Sequence, residues 1–200
     1  IMMYRDQPQH LVQDVLSSLL WKNHALGRSL IGTPATLSRM SRDRIISFKQ
    51  GRYTPVNTVC AFAGNLDHDA CVSHTRKLLG SIRRRRRPVC NPVSRAVSQE
   101  RISLLAKDIE QAQVALAFRI FGRNDPRRFA IRILSVILGE NMSSRLFQIV
   151  REKHGLAYSI HSSAHLFADT GAFIVSAGLD RTRCAKALKL VVRELCRTRN

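Results

Sequence analysis

The sequence contains few acidic residues. Its 200 residues include 14 Asp and Glu against 33 Lys and Arg, which gives a net charge of +19. Catalysis by a pair of carboxylates therefore has few residues to draw on. No uninterrupted apolar run approaches the roughly 18 residues of a transmembrane helix, so we expect no membrane span. The hydrophobic content of 44% is nevertheless enough to bury a core in one or two domains.

The sequence also lacks any C-x-x-C pair, which structural zinc sites commonly use. Nor do its cysteines have the spacing of a disulfide-rich secreted domain, so they favour a reducing compartment. We therefore expect a cytoplasmic protein. The five cysteines are Cys60, Cys71, Cys90, Cys184 and Cys196.

Two groups of histidine and aspartate could suggest a metal site. His161 and His165 lie in an alternating, strand-like run, where four residues separate them by about 13 Å. Zinc ligands lie about 2.0–2.3 Å from the metal, so this pair cannot share one ion. His68 lies between Asp67 and Asp69, and Asp67 is typical of a helix N-cap. We expect no metal site in this chain.

Arg83–Arg87 is the densest run of positive charge. A basic segment attracts nucleic acid or an anionic membrane through phosphate contacts and counterion release. No aromatic residue interleaves with the arginines to stack bases, and Pro88 and Pro92 follow them. The sequence therefore argues against a dedicated nucleic-acid-binding function, which we keep as an alternative.

The segment Met142–Tyr158 (MSSRLFQIVREKHGLAY) places an arginine and a tyrosine seven residues apart across the end of a helix. Apolar residues at the helical period predict the helix, Gly155 predicts its end, and the run after Gly155 predicts a strand. The connection can direct Arg151 and Tyr158 to one point. A guanidinium and a phenol suit a peptide carbonyl that gains negative charge. The alternative is a surface arginine and a core tyrosine.

The run SSRLFQIVREKHGLAYS closely resembles the C-terminal-domain signature of the pitrilysin/insulinase-type zinc peptidases, which include the mitochondrial processing peptidase. Three further segments match the family in order: Tyr4–Gln9, His24–Thr33 and Tyr53–Gly64. The resemblance implies that Arg151 and Tyr158, from a second domain, bind substrate at the zinc site and stabilise its oxyanion.

The zinc-binding signature of that family is absent. Its metal is held by an H-x-x-E-H helix and a distant glutamate, and no H-x-x-E-H occurs here. By resemblance, the glutamate would come just before a segment like Ile1–Pro8. The resemblance therefore implies an internal fragment of a longer protein, with Zn²⁺ held by ligands outside this chain. We expect the fragment alone to bind no zinc and cleave no peptide.

The pattern of elements predicts an α+β fold of mostly antiparallel sheets with helices packed on one face. The resemblance implies two related peptidase-type domains, both incomplete. Residues 1–90 would be the C-terminal part of the first, zinc-bearing domain, residues 91–97 a linker, and residues 98–200 the first part of the second, substrate-contacting domain. The predicted strands are Asn57–Ala63, Arg101–Lys107, Val114–Ile120, Leu156–Phe167 and Ala172–Ala177. The predicted helices are Pro8–Trp21, Ser41–Gln50, Asp67–Leu79, Pro126–Leu138, Asn141–His154 and one from Thr182. Ser41 and Asp67 are the predicted N-caps of their helices, and Asp169–Gly171 is a predicted turn between the last two strands.

Three functions remain open. The first is a segment of a zinc metalloendopeptidase, with a peptide or unfolded polypeptide as substrate and the rest of the parent or a related subunit as partner. The second is a non-catalytic family member that acts as a partner subunit or captures substrate. The third is a basic nucleic-acid-binding protein. The presence of both Arg151 and Tyr158 favours the first, because an inactive partner does not need a carbonyl clamp.

Overall fold

The structure is a computed structural model that describes residues 1–94 and 100–198. Its contacts divide the chain into two compact units, a larger one of residues 1–32 with 92–200 and a smaller one of residues 33–91. The predicted linker at residues 91–97 separates two related domains of a longer protein. These predicted domains are not the same as the two compact units, so the division stays a prediction. Residues 95–97 of that predicted linker lie outside the described residues.

The larger unit contains a three-stranded antiparallel sheet. Its strands are β1 (Gln111–Ile120), β2 (Ala157–Leu166) and β3 (Gly171–Asp180), in the order β1-β3-β2. Strands β2 and β3 form a hairpin, and the N–H of Phe167 donates to the carbonyl of Thr170 at 2.8 Å in its turn. Nine of the ten residues of β3 are buried, because strands flank it and both its faces are covered.

One face of β3 packs against three helices, α6 (Arg128–Gly139), a π-helix (Phe147–Lys153) and α7 (Cys184–Arg197). Alternate β3 residues point to this face, as a strand requires. The helices and strand share one apolar core that forms most of the interior of the larger unit. The residues of β3 in this core are Phe173, Val175, Ala177 and Leu179.

The opposite face of the sheet is covered by α2 (Pro8–Leu20). Gln13 Nε2 on this helix donates to Ser176 Oγ of β3 at 2.8 Å. The α+β class with an antiparallel sheet is thus confirmed, and α2 adds a layer on the face that we had not expected to carry a helix. The apolar cluster between α2 and the sheet consists of Leu16, Trp21, Ala172 and Ile174.

The smaller unit, all of whose residues are described, contains helices and no strand. Its two longest helices are capped as predicted. Ser41 Oγ accepts from the N–H of Arg44 at 3.3 Å, and Asp67 Oδ1 accepts from the N–H of Ala70 at 2.7 Å. The helices are α3 (Pro34–Ser38), α4 (Arg42–Arg52) and α5 (His68–Leu79), and a 3₁₀ turn spans Pro55–Asn57.

Two predicted strands, Asn57–Ala63 and Arg101–Lys107, are wrong, because neither segment has regular strand structure. Both segments expose their apolar side chains, and Val59 and Leu104 are each 92% exposed. A strand forms when a neighbour accepts and donates its backbone hydrogen bonds. Within the described residues, neither segment has such a neighbour in a ladder.

The remaining helices are short. They are α1 (Met2–Arg5) and a 3₁₀ turn at Ala25–Gly27. Helix α7, with 14 residues, is the longest in the part of the chain that the structure describes. No helix in residues 1–94 or 100–198 is both long and apolar enough to cross a membrane.

Candidate functional site

Arg151 lies in the π-helix rather than in the α-helix that the sequence predicted over Asn141–His154. Within the predicted helix, only Arg145 and Leu146, just before the π-helix, are α-helical. Leu146 and Val150 are completely buried in the core and hold this segment against the sheet. A π-helix widens the turn and shifts the side chains that follow, and such turns are frequent at functional sites.

A buried carboxylate holds the beginning of this helical segment. Glu194 of α7 is 1% exposed, and its Oε2 lies 3.0 Å from Nη2 of Arg145. Its Oε1 lies 3.2 Å from Nη1 of Arg197. We did not single out Glu194 from the sequence, although its helical spacing from Ala187 and Val191 places it on the buried face.

Gly155 ends the helical segment, as predicted, although that segment is a π-helix. Its φ of 58° lies in the left-handed region that glycine adopts readily. The N–H of Gly155 donates to the carbonyl of Arg151 at 2.9 Å, and the N–H of Leu156 donates to the carbonyl of Val150 at 3.0 Å. These bonds satisfy carbonyls at the helix end and lead the chain directly into β2.

Tyr158 is the extra residue of a β-bulge at the start of β2. Ala157 pairs with Leu179 and Ser159 pairs with Gly178, so Tyr158 has no partner of its own in the register. A bulge bends the strand and redirects a side chain, and bulges are common beside active sites. Tyr158 is 60% exposed, which excludes a packed core ring in this chain.

The guanidinium of Arg151 is partly exposed and has two local contacts. Its Cζ lies 4.7 Å from the centroid of the Phe147 ring, and its Nε lies 3.7 Å from Oε1 of Glu152. Within the described residues, no hydrogen bond joins the side chains of Arg151 and Tyr158. The two residues lie on either side of the Gly155 turn, and their convergence on one substrate atom stays a prediction.

The histidines of β2 do not form a metal centre. Desolvation and, to a lesser extent, repulsion from His165 lower the pKa of His161 below its usual value. His165 Nε2 lies 3.0 Å from Ser163 Oγ. Nowhere in residues 1–94 and 100–198 do three His, Cys, Asp or Glu side chains come together as they would around a metal ion. The residues present therefore do not fit a zinc ion.

Comparison with known proteins gives a family match over most of the chain. A family model described as the peptidase M16 inactive domain matches residues 39–200. A relative from Mycobacterium bovis, named an uncharacterized zinc protease, is 40% identical over 193 residues. The alignment covers 95% of this chain and 44% of that relative, so the chain spans less than half of the relative's length.

Two solved structures share the fold. A protease from Helicobacter pylori has a TM-score of 0.84 and 19% identity, with 96% of this chain and 48% of that chain covered. A chain in the structure of complex III₂ from Candida albicans has a TM-score of 0.78 and 20% identity, with 90% and 44% covered. The matched residues 39–200 include Arg151, Tyr158 and the whole sheet. The resemblance seen in the sequence is therefore confirmed, and the chain belongs to the M16 peptidase family through the domain described as inactive.

Proposed function

We propose that this chain is the substrate-binding segment of a longer zinc metallopeptidase, and that Arg151 and Tyr158 contact the peptide carbonyl. One observation supports this assignment above the others. The two side chains flank a single glycine turn, both are exposed, and each lies at a backbone irregularity of a kind common at functional sites.

The rigidity of the backbone around the two residues supports a role in catalysis. Val150 precedes Arg151, and Leu156 and Ala157 precede Tyr158, and all three of these neighbours are buried. Donors that are held in place before charge develops on a carbonyl oxygen need no reorganisation during the reaction. The guanidinium offers N–H donors in a planar fork and the phenol offers an O–H, so together they suit a developing oxyanion.

The substrate class follows from the same chemistry. A clamp that acts on a backbone carbonyl needs a peptide whose carbonyls are not already paired in secondary structure, so we assign peptides or unfolded polypeptides as substrates. We place the zinc ligands in a part of the parent protein outside these residues, since the side chains described here do not fit the metal. The rest of the parent, or a related subunit, is the partner that completes the site.

A second candidate is a non-catalytic family member that captures substrate or pairs with an active subunit. It is favoured by the description of the matching domain as inactive. In this case Arg151 and Tyr158 bind peptide without assisting its cleavage.

We further assign the protein to the cytoplasm. All five cysteines are free, including the exposed Cys60, Cys90 and Cys196. Exposed thiols persist where the compartment is reducing. Cell fractionation that found the protein only in an oxidising compartment would contradict this assignment.

The proposed function is tested on the parent protein with an unstructured peptide, with and without a chelator. Arg151→Ala and Tyr158→Phe should each lower kcat by about 10²–10³, with zinc content unchanged, because each removes one oxyanion donor. Arg151→Lys should recover little, since an ammonium group cannot reproduce a planar fork.

Two exposed residues elsewhere provide matched controls, Arg193→Ala on α7 and Tyr53→Phe in the smaller unit. Both should keep the wild-type kcat. Full kcat/KM in either clamp variant would refute the catalytic role. A parent that binds the peptide through Arg151 and Tyr158 but does not cleave it would establish the second candidate.

A further inference from the structure

Among the residues that the structure describes, the arginine run of the smaller unit has no charged partner. All five side chains of Arg83–Arg87 are exposed, in a segment without regular secondary structure. Within the described residues, none of them forms an ion pair. Five consecutive residues extend at most about 17 Å, so five positive charges lie on a short line.

The charge imbalance extends to the smaller unit as a whole. Residues 33–91 contain 12 Lys and Arg and 3 Asp and Glu, a net charge of +9. The ion pairs found in the described part of the chain all lie in the larger unit. The positive charge of the smaller unit is therefore not neutralised internally, and it is available to an anionic partner.

Apolar side chains flank the arginines on both sides. Leu78 is 73% exposed, Ile82 is 40% exposed and Val89 is 77% exposed. Exposed apolar side chains next to cations are typical of segments that lie in a membrane interface. Single-stranded nucleic acid would favour aromatic rings on which bases stack, and residues 63–92 contain no Phe, Tyr or Trp.

We propose that residues 76–89, here called the basic segment, form a peripheral docking surface for a membrane that contains anionic phospholipid. The guanidinium groups contact lipid phosphates and release counterions, while Leu78, Ile82 and Val89 enter the interface. Each arginine near an anionic surface raises the partition coefficient about fivefold. The surface brings the protein to the membrane without a spanning helix, and it is independent of the Arg151–Tyr158 clamp.

Sedimentation of the purified chain with lipid vesicles tests this proposal. One set of vesicles contains phosphatidylcholine alone, and the other contains phosphatidylcholine mixed with phosphatidylglycerol. We expect binding to the mixed vesicles only, and we expect it to weaken strongly between about 0.1 M and about 1 M salt, as the Debye length shortens. No binding to the mixed vesicles at low salt would overturn the proposal.

Two variants of equal charge separate a specific surface from the general positive charge. In the first, Arg83–Arg87 are all replaced by glutamine, and binding should fall at least about 100-fold. In the second, five exposed cations around α4 are replaced by glutamine, and binding should fall less than about fivefold. These cations are Arg39, Arg42, Arg44, Lys49 and Arg52. An equal loss in both variants would show that only net charge matters, which would refute the docking surface.

A third variant, Ile82→Ser with Val89→Ser, tests how much the apolar side chains contribute to membrane binding. Both residues lie outside helices and strands, so the substitutions have no secondary structure to disrupt. This variant should reduce the binding that remains at high salt. Competition with a single-stranded oligonucleotide at equal phosphate concentration tests the other class of partner. If the oligonucleotide removes the protein from the vesicles and binds through Arg83–Arg87, the partner is nucleic acid and the proposal is wrong.

Discussion

The two units of the chain differ in what they bury. In the larger unit, strand β3 is buried along nine of its ten residues, between a core on one face and α2 on the other. In the smaller unit, Thr54 alone among residues 33–91 is buried, and Phe48, Phe62 and Leu78 are each more than 60% exposed. The helices of the smaller unit begin at capping residues that lie next to them in the sequence, but the unit has no apolar core. Local signals thus suffice for helices, while stability requires packing.

The largest expected difference comes from truncating one apolar side chain in each unit, in the core of the larger unit and on the surface of the smaller. Leu146→Ala should lower the free energy of unfolding by about 2–5 kcal/mol, because Leu146 is completely buried. Phe62→Ala, at a side chain that is 61% exposed, should change it by less than about 0.5 kcal/mol. Urea unfolding followed by circular dichroism measures both. Equal effects would show that the smaller unit has a core of its own.

A smaller effect is expected from the buried carboxylate. Glu194→Ala should destabilise the larger unit by about 2–3 kcal/mol, below the range for a fully buried pair, because Arg145 and Arg197 remain partly solvated. The control is Glu100→Ala, which removes the exposed ion pair between Glu100 and Lys22. It should lower the free energy of unfolding by less than about 1 kcal/mol. A Glu194 variant as stable as this control would contradict the role given to the ion pair.

The caps of the smaller unit should contribute less again. Asp67→Ala removes the acceptor for the N–H of Ala70 and should cost about 1 kcal/mol of helix stability in α5. Hydrogen exchange at the first turn of α5 measures this locally, where a global unfolding curve is insensitive. Asp67→Asn keeps an acceptor and should retain most of the protection. Faster exchange throughout the larger unit as well would show that the two units unfold together.

The smallest expected effect is the pH dependence from His161. Its pKa is lowered in the folded chain, so between that value and the usual 6.5 the unfolded chain binds more protons. Stability from this source is complete above pH 6.5 and is lost as the pH falls through this window. His161→Asn should therefore flatten the decline of the unfolding free energy below pH 6.5. If the unfolding free energies of the wild type and the variant had the same slope against pH, His161 would not be the source of the pH dependence.

The sequence identified the features whose determinants are local. Ser41 and Asp67 were predicted as caps and Gly155 as a helix end, because each acts on backbone groups within a few residues. The hairpin of β2 and β3 was also found, since its alternating pattern and turn lie close together in the chain. The placement of Arg151 and Tyr158 on either side of the Gly155 turn was predicted for the same reason, and their joint role stays a prediction.

The features that depend on distant contacts were missed. Residues 57–63 have the composition of a strand, but a strand needs a partner that composition cannot supply. The π-helix at Phe147–Lys153 and the bulge at Tyr158 have no sequence signal, because both result from how the segment fits against β3 and the core. The exposure of Tyr158 follows from the bulge, so it could not be predicted from the sequence either.

The bulge at Tyr158 also affects how the sheet can grow. Strands β1 and β2 are both outermost, so each leaves one side of its backbone without a ladder partner in the described residues. The bulge interrupts the regular edge of β2, and such interruptions hinder the addition of a further strand. Strand β1 pairs with β3 in unbroken register from Gln111 to Ile120, so no bulge interrupts it. Self-association of the isolated chain should therefore begin at β1, where a second molecule can add a strand.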